Sequence, residues 1–201
     1  MMGDDDSGDA DALQMFTGWL KSPGKGFSQL LFGLGVWGIA LGIINLVWGA
    51  VVMGERKVIW AGWLTMGKLW EEPYTEFEGI FASFRPYSDT VFMAMGVVAL
   101  LWGAHGINQR FEGGFQGWLR GLASDSMWTS LVSSEGKGGW TMTFSAWCLM
   151  AGFGFYLWWG IVYWGWVDIG VYAVSAPLLA FGFALRFAAY AEAAESADAS
   201  D

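Results

Sequence analysis

Few side chains in this chain are equipped for chemistry, and three stand out by type and position: Asn45, His105 and Asp168. His105 is the single histidine of the 201 residues. An imidazole can ligate a metal or haem, or relay protons. A haem would need a second axial ligand, here a methionine or the histidine of another subunit. The plainer expectation is a hydrogen bond to a backbone carbonyl or to Gln109, one helical turn later. Asp168 can form a cation or proton site at the mouth of a pathway. Its place between two uncharged runs makes a helix cap or turn residue the simpler reading. Asn45 is the one strongly polar side chain deep in an apolar run. It can contact a substrate or hydrogen-bond between helices, and the second is expected. Glu71, Glu72, Glu76 and Glu78 could together hold a hard cation, but their spacing follows no calcium loop and reads as a solvated acidic loop. Cys148 is the only cysteine, which leaves no internal disulfide and no paired-cysteine site. It reads as a small core residue. No metal site and no cofactor is expected from these patterns.

The elements that must position these residues are long and apolar. Phe27 to Met53 carries no charge. At about 1.5 Å per residue it makes roughly 40 Å of helix, against a hydrocarbon core of about 30 Å. Similar runs predict spans over about 90–109, 140–166 and 169–190. The fold class expected is all-α: a polytopic integral membrane protein with four transmembrane helices and an interfacial helix after the first, over Val58 to Trp70. That segment is too short to cross, and Trp60, Trp63 and Trp70 suit the headgroup level; a re-entrant segment is the alternative. Phe115, Trp118, Leu119 and Leu122 follow helical spacing and predict a short amphipathic surface helix. In domain terms, 1–26 is an acidic tail with a membrane-proximal segment, 27–190 the four-helix domain and 191–201 a second acidic tail.

Small residues recur along three of the spans. Gly35, Gly38, Gly42, Asn45 and Gly49 step by three and four, as do Gly96, Ala99, Gly103 and Gly106, and again Gly170, Ala173, Pro177, Ala180 and Ala184. Such stripes let helix backbones approach closely in lipid, so they read as packing seams. Pro177 is expected to kink the fourth helix.

Composition narrows the function classes. The chain is 55% hydrophobic and 14% charged, with 15 Trp, where a soluble domain carries about 25% charged residues. A net charge of -9 argues against nucleic acid and against anionic lipid surfaces, which need Lys and Arg clusters. No lysine falls within a predicted span, so a retinal Schiff base is excluded. No carboxylate falls near a predicted mid-membrane position, which weakens an ion-coupled transporter. Phosphate-binding loops and nucleophile motifs are absent from the sequence.

With four spans, Lys21, Lys25, Arg110, Arg120, Lys137 and Arg186 share one side, against Arg56, Lys57, Lys68 and Arg85 on the other. The surplus places both termini in the cytoplasm. Asp4, Asp5, Asp6, Asp9 and Asp11, with the Glu192 to Asp201 tail and the scarcity of Lys, resemble the acidic surfaces of extreme halophiles. The whole resembles four-pass membrane proteins of haloarchaea or of their membrane-containing viruses, a resemblance that carries no functional residue. The function expected is a non-enzymatic membrane scaffold or accessory subunit, embedded in the lipid bilayer as a homo-oligomer or beside a larger membrane partner. The alternatives are a small channel or carrier lined by Asn45, His105 and Asp168, and a cofactor-holding subunit using His105.

Overall fold

The computed structural model describes residues 17–18, 22–47, 51–52, 56–68, 72–76, 85–134 and 139–198. Most of Met1 to Lys21 and of the acidic loop around Glu71 and Glu78 lies outside these residues, as does Gly49. Four helices are long and apolar enough to cross a membrane: α1 (Lys25–Val47), α3 (Pro86–Arg110), α6 (Gly139–Tyr163) and the first 25 residues of α7 (Ile169–Asp198). This fits a multi-pass membrane protein. Shorter helices α2 (Trp60–Thr65), α4 (Gly114–Ala123) and α5 (Ser126–Ser130) lie between them.

The all-α expectation needs a correction. Between α1 and α3 runs a small antiparallel sheet of β1 (Val51–Val52), β2 (Arg56–Val58) and β3 (Tyr74–Glu76), in the order β1-β2-β3. Arg56 stands opposite Glu76 and Val58 opposite Tyr74. The first apolar run is therefore shared: its described helix covers Lys25–Val47 and its Val51-Val52 pairs as strand, with 48–50 outside the described residues. An apolar run does not by itself distinguish helix from strand, and β-branched residues favour the strand. The helix expected over Val58 to Trp70 is likewise only six residues long. It follows β2 and closes at Met66 and Gly67, both with positive φ (54° and 72°). Tyr74, Thr75 and Glu76 of the supposed acidic loop are strand β3. At the other end, α7 continues as helix to Asp198, past the expected boundary at Tyr190, because Ala and Glu are good helix formers.

The chain packs as two units, Met1–Gly42 with Thr90–Ala123, and Ile43–Asp89 with Ser124–Asp201. In the first, α1 and α3 pack antiparallel, backbone on backbone. A methyl group added at Gly35 would sit 2.6 Å from the Leu100 Cα, and one at Gly103 would sit 2.7 Å from the Phe32 Cα. Only glycine permits that approach. Helix α4 lays Phe115 and buried Trp118 edge-on against Phe32, with ring centroids at 5.3 and 5.2 Å.

In the second unit, α6 and α7 form a hairpin closed by residues 164–168. Ser145 Oγ donates to the Gly182 carbonyl at 2.7 Å. Tyr156 and Tyr172 both donate to the Trp166 carbonyl, at 3.1 and 2.9 Å. Asp125 caps α5 by accepting from Met127 N–H at 2.8 Å, and also pairs with Arg186 of α7.

Candidate functional site

The most concentrated buried polar chemistry among the described residues lies where the last turn of α1, strand β2 and the first turn of α3 meet. Helix α3 begins with proline, whose fixed φ and missing donor suit a first helical position. Asp89 in its first turn is favoured by the helix dipole. One Asp89 oxygen, Oδ2, accepts the Arg85 backbone N–H at 2.9 Å and so caps the helix start. The other, Oδ1, accepts from Asn45 Nδ2 at 3.3 Å, and Asn45 Nδ2 also lies 3.3 Å from the Val58 carbonyl it donates to. Ser88, beside Asp89, accepts the Ala61 backbone N–H at 2.8 Å and ties α2 to the same turn. Asn45, Lys57 and Asp89 are 1%, 2% and 3% exposed. A carboxylate and an ammonium this far from water are costly unless compensated. Burial lowers the Lys57 pKa from its ordinary 10.5, the charge of Asp89 opposes that shift, and Arg85 adds to it.

Beside this cluster opens a cleft of about 260 Å³ lined by Ile59, Glu72, Tyr74, Thr75 and Arg85. Its walls are held by the β2–β3 ladder, extended by the Ile59 N–H donating to the Pro73 carbonyl at 3.0 Å. Asn45, Lys57 and Asp89 are not among the residues that line it.

Against known proteins, the chain matches no family model, no curated protein and no solved structure.

The residues singled out in the sequence fall in different places. Asn45 is buried and bonds between elements. His105 is exposed and accepts from Gln109 Nε2 at 2.9 Å, one turn along α3. Asp168 accepts the Gly170 backbone N–H at 2.9 Å and caps the start of α7. Among the described residues no three His, Cys, Asp or Glu side chains are grouped so as to hold a metal ion. Cys148 is buried.

The small-residue stripes divide as well. Gly35, Gly38, Gly42, Gly96, Gly103 and Gly106 are buried, with Ala99 half-buried. Gly35, Gly96, Gly103 and Gly106 lie directly against the opposite helix of the α1–α3 pair, and Gly42 lies against Met93. Gly170, Ala173, Pro177, Ala180 and Ala184 are exposed. Within the chain, α7 packs on α6 through another face that includes Val171, Ser175 and Gly182, with Gly152 on the α6 side. Both faces of α7 offer small residues, and the spacing alone cannot choose between them.

Asp89 and Lys57 were missed by sequence reasoning. Asp89 falls one residue before the predicted start of its span, and Lys57 reads as one of the charges that end the first. No spacing links residues 45, 57 and 89. The available signal was Pro86 with Asp89 three residues on, which marks a helix start.

Proposed function

We propose that the protein is a non-enzymatic integral membrane scaffold or accessory subunit, with both termini in the cytoplasm and the sheet and α2 on the other face of the membrane at headgroup level. The observation that supports this is the direct backbone packing of α1 on α3 at Gly35 and Gly103. It occupies, with main chain, the space along that pair that a conducting path would need. The outward apolar side chains of α6 and α7, Phe144, Ile161, Phe181 and Phe187 among them, suit lipid or a second membrane protein. The decisive experiment is native mass spectrometry of the protein gently extracted from its own membrane at high salt. A defined complex, with copies of itself or another membrane chain, is expected. A bare monomer under conditions that preserve other membrane complexes would overturn the reading.

One observation favours a second reading, a small channel or carrier. Asn45, Lys57 and Asp89 are buried beside an open cleft, and ionisable groups kept from water inside a membrane protein often mark ion or proton paths. Liposome flux across a panel of ions and small solutes tests it. Transport lost in Asp89→Asn would establish it, and no flux of any tested species would remove it.

A further inference from the structure

We propose that the cleft between β3 and the start of α3 binds a small zwitterion, an anionic phosphate or carboxylate held at Arg85 and an ammonium held at Glu72. The inference goes beyond the scaffold reading and does not depend on it.

Arg85 and Glu72 line one cleft, and both are exposed. Among the described residues neither side chain forms an ion pair within 4.0 Å, and they do not pair with each other; the Arg85 charge is felt by Asp89 and Lys57, and the close ion pair present among these residues is Arg186 with Asp125. Opposite charges lining a cleft without meeting are complementary to a ligand that carries both signs. The intervening wall suits the same ligand. Tyr74 and Thr75 are neighbours on β3, and successive strand residues face opposite sides, so one of them meets the cleft with its side chain, a ring face for the ammonium or a hydroxyl for the anion, and the other with its main chain. Ile59 supplies an apolar wall and is itself buried. The Arg85 main chain is held by its N–H bond to Asp89, so its position does not depend on the ligand.

Size and place narrow the class further. A cleft of about 260 Å³ lies just below the range of drug-sized ligand sites, about 300 to 1,000 Å³. It admits a headgroup or an amino-acid-sized solute and excludes a whole lipid or a nucleotide. Arg85 immediately precedes α3, a helix long enough to span, so the cleft opens where phospholipid headgroups lie. Two sources share this chemistry: an ethanolamine-type lipid headgroup and a free zwitterionic solute.

The test uses the full-length protein in nanodiscs and isothermal titration calorimetry. The probes are O-phosphoethanolamine, dihexanoyl-phosphatidylethanolamine, dihexanoyl-phosphatidylglycerol and inorganic phosphate. The two zwitterions are expected to bind about tenfold more tightly than the two anions, the worth of one added charge-assisted contact. Arg85→Gln should weaken all four probes by about tenfold. Glu72→Gln should weaken only the zwitterions and erase their preference. Both side chains are exposed, so the thermal midpoint of each variant should match the parent and separate lost binding from lost fold. Tighter binding of the short-chain lipid than of O-phosphoethanolamine assigns the site to a headgroup. Equal binding assigns it to a solute. No binding of any probe, no preference for zwitterions, or a preference that survives Glu72→Gln would overturn the proposal.

Discussion

Asn45 shows how one amide can hold three elements. Its Nδ2 reaches Asp89 of α3 and the Val58 carbonyl of β2 from the last turn of α1. Asn45→Leu removes that donor and leaves buried acceptors short of a partner. We expect a loss of about 1–3 kcal/mol, read by SDS-titration unfolding. Asn45→Asp should cost more, because a second buried carboxylate would face Asp89. Lys57 gives a pH signature. Its folded pKa lies below the ordinary 10.5. Below the folded pKa both states carry the proton and the burial cost is felt in full. Between the folded pKa and 10.5 the unfolded chain binds more protons, so stability rises with pH. The thermal midpoint should therefore climb as pH approaches 10.5 from below, and Lys57→Met should flatten that slope. A difference between the parent and Lys57→Met midpoints that does not change with pH across this window would show Lys57 to be unperturbed.

At the scale of elements, two glycines on one helix make opposite predictions. Gly35 of α1 lies against the Leu100 main chain, whereas nothing lies within 4 Å of the point where a Gly33 side chain would begin. Gly35→Ala should cost about 1–3 kcal/mol through overpacking that main chain cannot relieve. Gly33→Ala should be neutral or stabilising by up to about 1 kcal/mol through helix propensity. Equal effects would mean that α1 and α3 do not meet along this seam. Helix α5 is tied differently, through Asp125, which both caps it and pairs with Arg186. Asp125→Ala should cost about 1–2 kcal/mol, while Asp125→Asn should keep most of the cap and lose only the ion pair. That pair is half exposed on its Asp125 side, so its share should shrink as salt is raised.

For the whole molecule, four helices of spanning length set an alternation of sides. Helix α3, at about 1.5 Å per residue, separates Glu72 before it from Glu112 after it. In a chain with Cys148 replaced by Ser, Glu72→Cys and Glu112→Cys should react with a membrane-impermeant thiol reagent from opposite faces of sealed vesicles. Labelling of both from one face would mean that α3 does not cross. If Glu112→Cys labels from the cytoplasmic face, the Lys and Arg balance has set the orientation as expected.

Four helices long and apolar enough to span and the amphipathic α4 were legible in the sequence, because long uncharged runs and a 3.6-residue period are properties of the chain that lipid and water read directly. The roles of single residues near helix ends were partly legible too. Asp168 sits where a cap is needed, and His105 sits one turn from Gln109. The three-stranded sheet was not. Its strands are two or three residues long, too short for alternation to register, and the β2–β3 pairing joins positions 16 to 20 residues apart. The buried group of Asn45, Lys57 and Asp89 was not legible either, because it is assembled from three elements whose separation in sequence carries no period. On α7, small residues occur on more than one face. Which face meets α6 was decided by the fit of Gly182 against Leu149 and of Gly152 against Leu179. Sequence alone determined what each segment can bury. Tertiary structure decided which partner each one buries it against, because close packing depends on the shapes of both surfaces at once.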